Sequence, residues 1–145
     1  MHFIDLAADP FVPEGWEVVQ HIKGGQLNLD SVRVVLYLHS QQQRGKMIQG
    51  NQLYKTLKGM QVFNANLLDH LLQNTEFIMQ LIPEAQENDA LVFWGTIYRD
   101  QLSRLCVRFL YKVCGAWFWG WCLFSDDFDY HRPAVVSAPI FVKSE

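Results

Sequence analysis

The chain has 145 residues, half of them hydrophobic, 14% aromatic and only 19% charged, with a formal net charge of −3. That is enough for one ordinary domain, 1–145, with a real core and no need of disulfides or metals to hold it. The slight acidity and scattered Lys and Arg argue against nucleic-acid binding, and no run of roughly 18 apolar residues offers a membrane span.

The first six residues carry no basic region, and Asp5 and Asp9 interrupt any leader pattern. The cytoplasm is the expected compartment, and an odd count of three cysteines fits it. Residues 1–15 contain Pro10, Pro13 and Gly15, which favour an irregular arm. Trp16 to Ile22 is short and apolar-rich, and it suits helix or strand equally until Lys23-Gly24-Gly25 stops it. Ser31 to His39 reads as a strand, with Val32, Val34, Leu36 and Leu38 on one side. Asn51 to Lys58 reads as a short helix capped by Asn51 and ended by Gly59. Asn66 opens a second helix, with Asp69 in a variant capping box and Leu67, Leu68, Leu71 and Leu72 at helical spacing. A break near Asn74 precedes a further short helix ending before Pro83.

From Ala90 the period changes to alternation. Leu91 to Arg99, Arg104 to Lys112 and Ala116 to Phe124 read as an antiparallel meander. Asp100 to Ser103 and Val113-Cys114-Gly115 are its turns, and Ala134 to Val142 adds a strand or a tail. The expected fold class is α+β: an antiparallel sheet of four or five strands with two to three short helices packed on one face.

Several phrases carry a resemblance: Asn64-Ala65-Asn66-Leu67-Leu68-Asp69, Ile82-Pro83-Glu84, Phe93-Trp94-Gly95-Thr96-Ile97-Tyr98-Arg99-Asp100, Leu105-Cys106-Val107-Arg108, Leu110-Tyr111, the Trp-rich strand and Asp127-Phe128-Asp129. Over about residues 20–138 the chain resembles a group of short uncharacterised bacterial proteins, often of the orphan or mobile-cassette kind. The resemblance implies no activity, so it transfers no functional residue. Gln101-Leu102-Ser103 stands where that group tends to have an Asp/Gly-rich turn.

The residues offer little catalytic vocabulary. Cys106, Cys114 and Cys122 are eight apart, with no Cys-x-x-Cys or His-x-x-x-His pair, so no metal or other cofactor is implied. The Asp126 to His131 stretch is the densest group of hard ligands, and its plainer reading is a solvated loop. Cys106 and Cys122 lie among large apolar residues, as inert core cysteines do.

The aromatic cluster is the most informative feature, because twelve of the twenty Phe, Trp and Tyr residues fall between Phe93 and Tyr130. A register pairing Arg99 with Arg104 and Lys112 with Ala116 gathers Trp94, Phe109, Trp117, Trp119 and Trp121 on one face. That face is too apolar for a monomer to leave open. The same register lines up Gly95, Arg108 and Gly120, leaving the Arg108 guanidinium in a trough fit to clamp an anion. The plainer alternative is an intramolecular ion pair with Asp126, Asp127 or Asp129. The leading expectation is therefore a non-enzymatic protein that forms a homodimer through these rings, unless the N-terminal arm folds over them. The alternatives are a binder of a small anionic or aromatic molecule anchored by Arg108, and a small enzyme.

Overall fold

The computed structural model describes residues 3–138. In chain order the strands are β1 (Phe3–Asp5), β2 (Glu17–His21), β3 (Gln26–Asn28), β4 (Val34–Tyr37), β5 (Ile48–Gln49), β6 (Leu91–Arg99), β7 (Leu105–Val113), β8 (Ala116–Leu123), β9 (Asp127–Phe128) and β10 (Ala134–Ser137). The helices are α1 (Gly50–Thr56), α2 (Ala65–Gln73) and α3 (Ile78–Leu81). The class is α+β, as expected, and the β6–β7–β8 meander is present.

The main sheet has six strands rather than four or five, in the order β4-β10-β6-β7-β8, with β2 also on β6. The undecided Trp16–Ile22 stretch supplies β2, which pairs antiparallel with the second half of β6. β10 runs parallel to the start of β6 and antiparallel to β4. The expected Ala134 to Val142 strand is β10 as far as Ser137; residues 139–142 lie outside the described residues. The arm is not wholly irregular, because β1 pairs with β3.

The helices divide between the two faces instead of sharing one. α2 buries Leu67, Leu68 and Leu71 completely, in a cluster with Ile78, Leu91, Phe93 and Leu110. Each such leucine contributes roughly 1.5–3 kcal/mol of burial. α1 sends Leu53 to the opposite face, against Trp94, Val107, Cys122 and Phe128. β6 is consequently buried along eight of its nine residues, which is why it reads as a nearly continuous apolar run.

The register differs from expectation at both hairpins. Val113 pairs with Ala116, leaving a two-residue loop of Cys114 and Gly115 with φ of 50° and 80°. Two positive φ values are what a type I′ hairpin turn requires. Lys112 therefore faces Trp117, Leu110 faces Trp119 and Arg108 faces Trp121. Along β6 and β7, Val92 pairs with Phe109 but Ile97 pairs with Val107, so β6 has three more residues than β7 in between. Gly95 sits in this bulge. Its N–H donates to Phe63 O (2.9 Å) and its carbonyl accepts from Ile22 N–H (2.8 Å). A Cβ there would lie 2.7 Å from the Asn64 backbone, so the close approach requires glycine.

The cap of α2 also moves. Asn64, in extended conformation, accepts from Asn66 N–H at 3.0 Å through Oδ1. Asn66 lies inside the first turn and ties down the arm, donating from Nδ2 to Ala8 O at 2.9 Å and Asp5 O at 3.2 Å. α1 starts at Gly50 with no side-chain cap, so Asn51 does not cap it.

Candidate functional site

The one-residue shift at the β7–β8 turn separates the residues that the sequence register gathered. Trp117, Trp119 and Trp121 share a face with Arg108 and Leu110, beneath α2 and the arm. Trp94 and Phe109 belong to the other face, with Val92, Ile97 and Val107. The five rings thus form two groups back to back, and no single five-ring face exists.

The row of Gly95, Arg108 and Gly120 is not formed either. Gly120 pairs with Phe109 across the strands, and the Phe109 ring lies where a Gly120 Cβ would be, 2.6 Å away. Arg108 is 1% exposed and engaged inside the chain. Its Nη1 and Nη2 donate to Asp69 Oδ2 and Oδ1 at 2.9 and 2.8 Å, a bidentate pair. The intramolecular partner is thus Asp69, from α2, rather than an aspartate of the 126–129 loop. The guanidinium also lies 4.2 Å from the Trp119 ring centroid and 5.2 Å from that of Phe11. Burial works against its charge, but the hydrogen bonds and charge of Asp69 outweigh this and raise its pKa.

The N-terminal arm closes over this cluster. Tyr98 Oη donates to Phe11 O at 2.8 Å, and Asn64 Nδ2 donates to Leu6 O at 2.9 Å. Trp16 lies edge-on to Tyr98, Trp119 and Trp121, at 5.4–6.1 Å between centroids. Asparagine, tyrosine and tryptophan side chains thus do for the arm what a backbone ladder does for a strand. The sequence offered this covering as an alternative to self-association, without the side chains that hold it.

Cover thins toward β8. This strand pairs with β7 alone and is the edge of the main sheet. Its sequence, Ala116 to Leu123, contains no charge and no proline. Phe118 is 45% exposed and Trp121 50%, on opposite faces of the hairpin. Phe109, Tyr111 and Phe118 form a further ring row, with successive centroids 5.5 and 5.8 Å apart.

Two of the three thiols are buried and suppressed, Cys114 is exposed in the β7–β8 turn, and the groups of the acidic loop are engaged. Burial pushes the Cys106 thiol up to about 12 and the Cys122 thiol up to about 11. A thiolate nucleophile needs the opposite shift. In the acidic loop, Asp126 Oδ2 accepts from Leu123 N–H and Asp129 Oδ1 from His131 N–H, while His131 Nδ1 pairs with Asp89 at 3.1 Å. These contacts shape turns rather than converging on one point. Among the described residues no group of three or more His, Cys, Asp or Glu side chains is placed to hold a metal ion. No helix among them is long and apolar enough to cross a membrane. Compared with protein-family models, curated proteins and solved structures, the chain matches none.

Proposed function

We propose that this protein acts by association rather than catalysis, and that its partner is a second copy meeting it through β8. The observation that supports this is the edge itself. Eight consecutive uncharged residues, about 27 Å of strand, pair on one side only. Soluble proteins ordinarily blunt such edges with lysine, proline, a bulge or a covering loop.

An antiparallel pairing of β8 with its symmetry mate about a two-fold axis satisfies the free backbone groups of both strands. It also brings Phe118, Trp121 and the exposed Val113 of each copy to the seam. Rings from both faces then add to the roughly 800 Å² per partner that a stable interface needs. This differs from a face-to-face dimer, because Trp94 is buried inside its own chain and Trp119 is partly covered by the arm.

Sedimentation equilibrium up to about 100 μM tests the proposal. The expected result is a particle of twice the chain mass that Phe118→Lys converts to a folded monomer. A wild-type monomer overturns the proposal. So does a dimer that persists in both Phe118→Lys and Trp121→Glu.

A further inference from the structure

The outer edge of β8 is open over only part of its length. Val113 and Ala116 flank the two-residue turn, so Ala116 points its N–H and C=O inward, at β7. Alternation turns Phe118, Gly120 and Cys122 inward as well, and Phe124 N–H continues the series by donating to Leu105 O at 3.0 Å. The outward backbone groups therefore belong to Trp117, Trp119, Trp121 and Leu123.

Leu123 is already closed off. Its N–H donates to Asp126 Oδ2 at 2.9 Å, and its carbonyl accepts from Asp126 N–H at 3.0 Å. One aspartate thus ends the open edge on that side. The turn ends it on the other, where Gly115 N–H donates to Glu87 Oε1 at 3.3 Å. Between these stops lie Trp117, Trp119 and Trp121, whose backbone groups have no outward partner among the described residues.

Two antiparallel copies related by a two-fold axis must set outward residues against outward residues. An axis through Trp119 sets it against the partner's Trp119, and Trp117 against the partner's Trp121, so no open group is left over. An axis through Phe118 instead sets Trp121 against the partner's Gly115, inside the turn. An axis through Gly120 sets Trp117 against the partner's Leu123, whose groups are taken.

The side chains agree with the first register. It places Phe118 opposite the partner's Gly120 in a non-hydrogen-bonded pair, the closer kind, with Cα atoms about 4.5 Å apart. A Cβ at position 120 would stand 2.6 Å from the Phe109 ring, so glycine is what lets that ring lean across β8 toward the seam. Phe118, 45% exposed, then meets the partner's Phe109, and the row of Phe109, Tyr111 and Phe118 continues from one copy into the other.

We infer that the dimer has one register, with its two-fold axis through Trp119 and with Asp126 as the stop that sets it. This rests on the β8 association proposed above. Dimers mixed from ¹³C-labelled and unlabelled wild-type chains test it by isotope-filtered NOE spectroscopy, with sedimentation of the same sample. The expected result is a dimer with a contact between Phe118 Hα of one copy and Gly120 Hα of the other. The amides of Trp117, Trp119 and Trp121 should all exchange at least about tenfold more slowly than in the Phe118→Lys monomer, while that of Leu123, held within its own chain, exchanges alike in both. A dimer with Phe118–Phe118 or Gly120–Gly120 contacts across the seam, or with the Trp117 or Trp121 amide unprotected, overturns the register and leaves the β8 dimer standing. A monomer, or a dimer without contacts between the two β8 strands, overturns both.

Discussion

Replacing Asp69 with Ala removes the countercharge of a guanidinium that the sheet, α2 and the arm have taken out of water. Asp69 is 26% exposed and Arg108 1% exposed, so the loss falls mainly on the arginine, which has no route to solvent. Two unit charges about 4 Å apart at an effective dielectric of about 20 attract by roughly 4 kcal/mol. Removing one partner of a buried pair typically costs about 3–5 kcal/mol. Because Asp69 retains some contact with water, the lower end applies, and the expected loss is about 3 kcal/mol. A domain of this size has a total stability of about 5–15 kcal/mol, so the variant folds but is visibly weakened. With a urea slope of roughly 2 kcal/mol per molar, the unfolding midpoint should fall by about 1–2 M. Arg108→Met with Asp69→Leu removes both charges, keeps apolar volume under Trp119 and should recover at least half of the loss. A midpoint shift in Asp69→Ala below about 0.3 M would mean that the pair contributes nothing net, and the argument from burial fails.

Gly95→Ala should destabilise severely, because its Cβ meets backbone atoms of Asn64 and Phe63 at 2.7 Å, whereas Gly120→Ala meets only the movable Phe109 ring; thermal melts should rank the two in that order. Native protein should expose one rapidly reacting thiol to a colorimetric disulfide reagent, that of Cys114, and all three thiols after unfolding; fast labelling of Cys106 or Cys122 would contradict their burial. Asp100 accepts from Leu102 N–H and Arg104 N–H and pairs with the Arg104 guanidinium, which holds its carboxyl below the usual range. Its contribution is therefore present above about pH 4 and lost as pH falls through the lowered native value. Asp100→Asn should lack that part of the acid dependence of stability, and an unchanged acid profile would count against it.

Particular residues explain what the sequence revealed and what it concealed. Leu91 to Arg99 is a nearly continuous run of strand-forming residues interrupted only by Gly95, so β6 is found to the residue. The leucine spacing of α2 is equally plain, although its cap is not. Asn64 and Asn66 are both good caps, and only the backbone approach of Gly95 to Phe63 and Asn64 decides between them. The ring faces failed at Cys114. A cysteine at positive φ is an unusual first residue for a type I′ turn, so Val113-Cys114-Gly115 reads as a three-residue loop. That single-residue error turns every β8 side chain to the other face. Asp69 was legible as a helix-start carboxylate but not as the partner of Arg108, since 39 residues separate them. The arm was anticipated as a competitor for the aromatic surface, but the side chains that hold it lie far along the chain.

That separation has a consequence for assembly in time. The arm's carbonyls at Leu6 and Ala8 are held by asparagines 58 residues later, and those at Phe11 and Glu14 by Tyr98 and Gln101, each 87 residues later. During synthesis the arm leaves the ribosome before any of its anchors exists, and closing so long a loop early carries entropy with no compensating contact. The segment made early is therefore the one placed late. Until residue 101 has been made, Trp119 and Arg108 have not been made either, so the growing chain never presents the aromatic floor without the strap already waiting beside it.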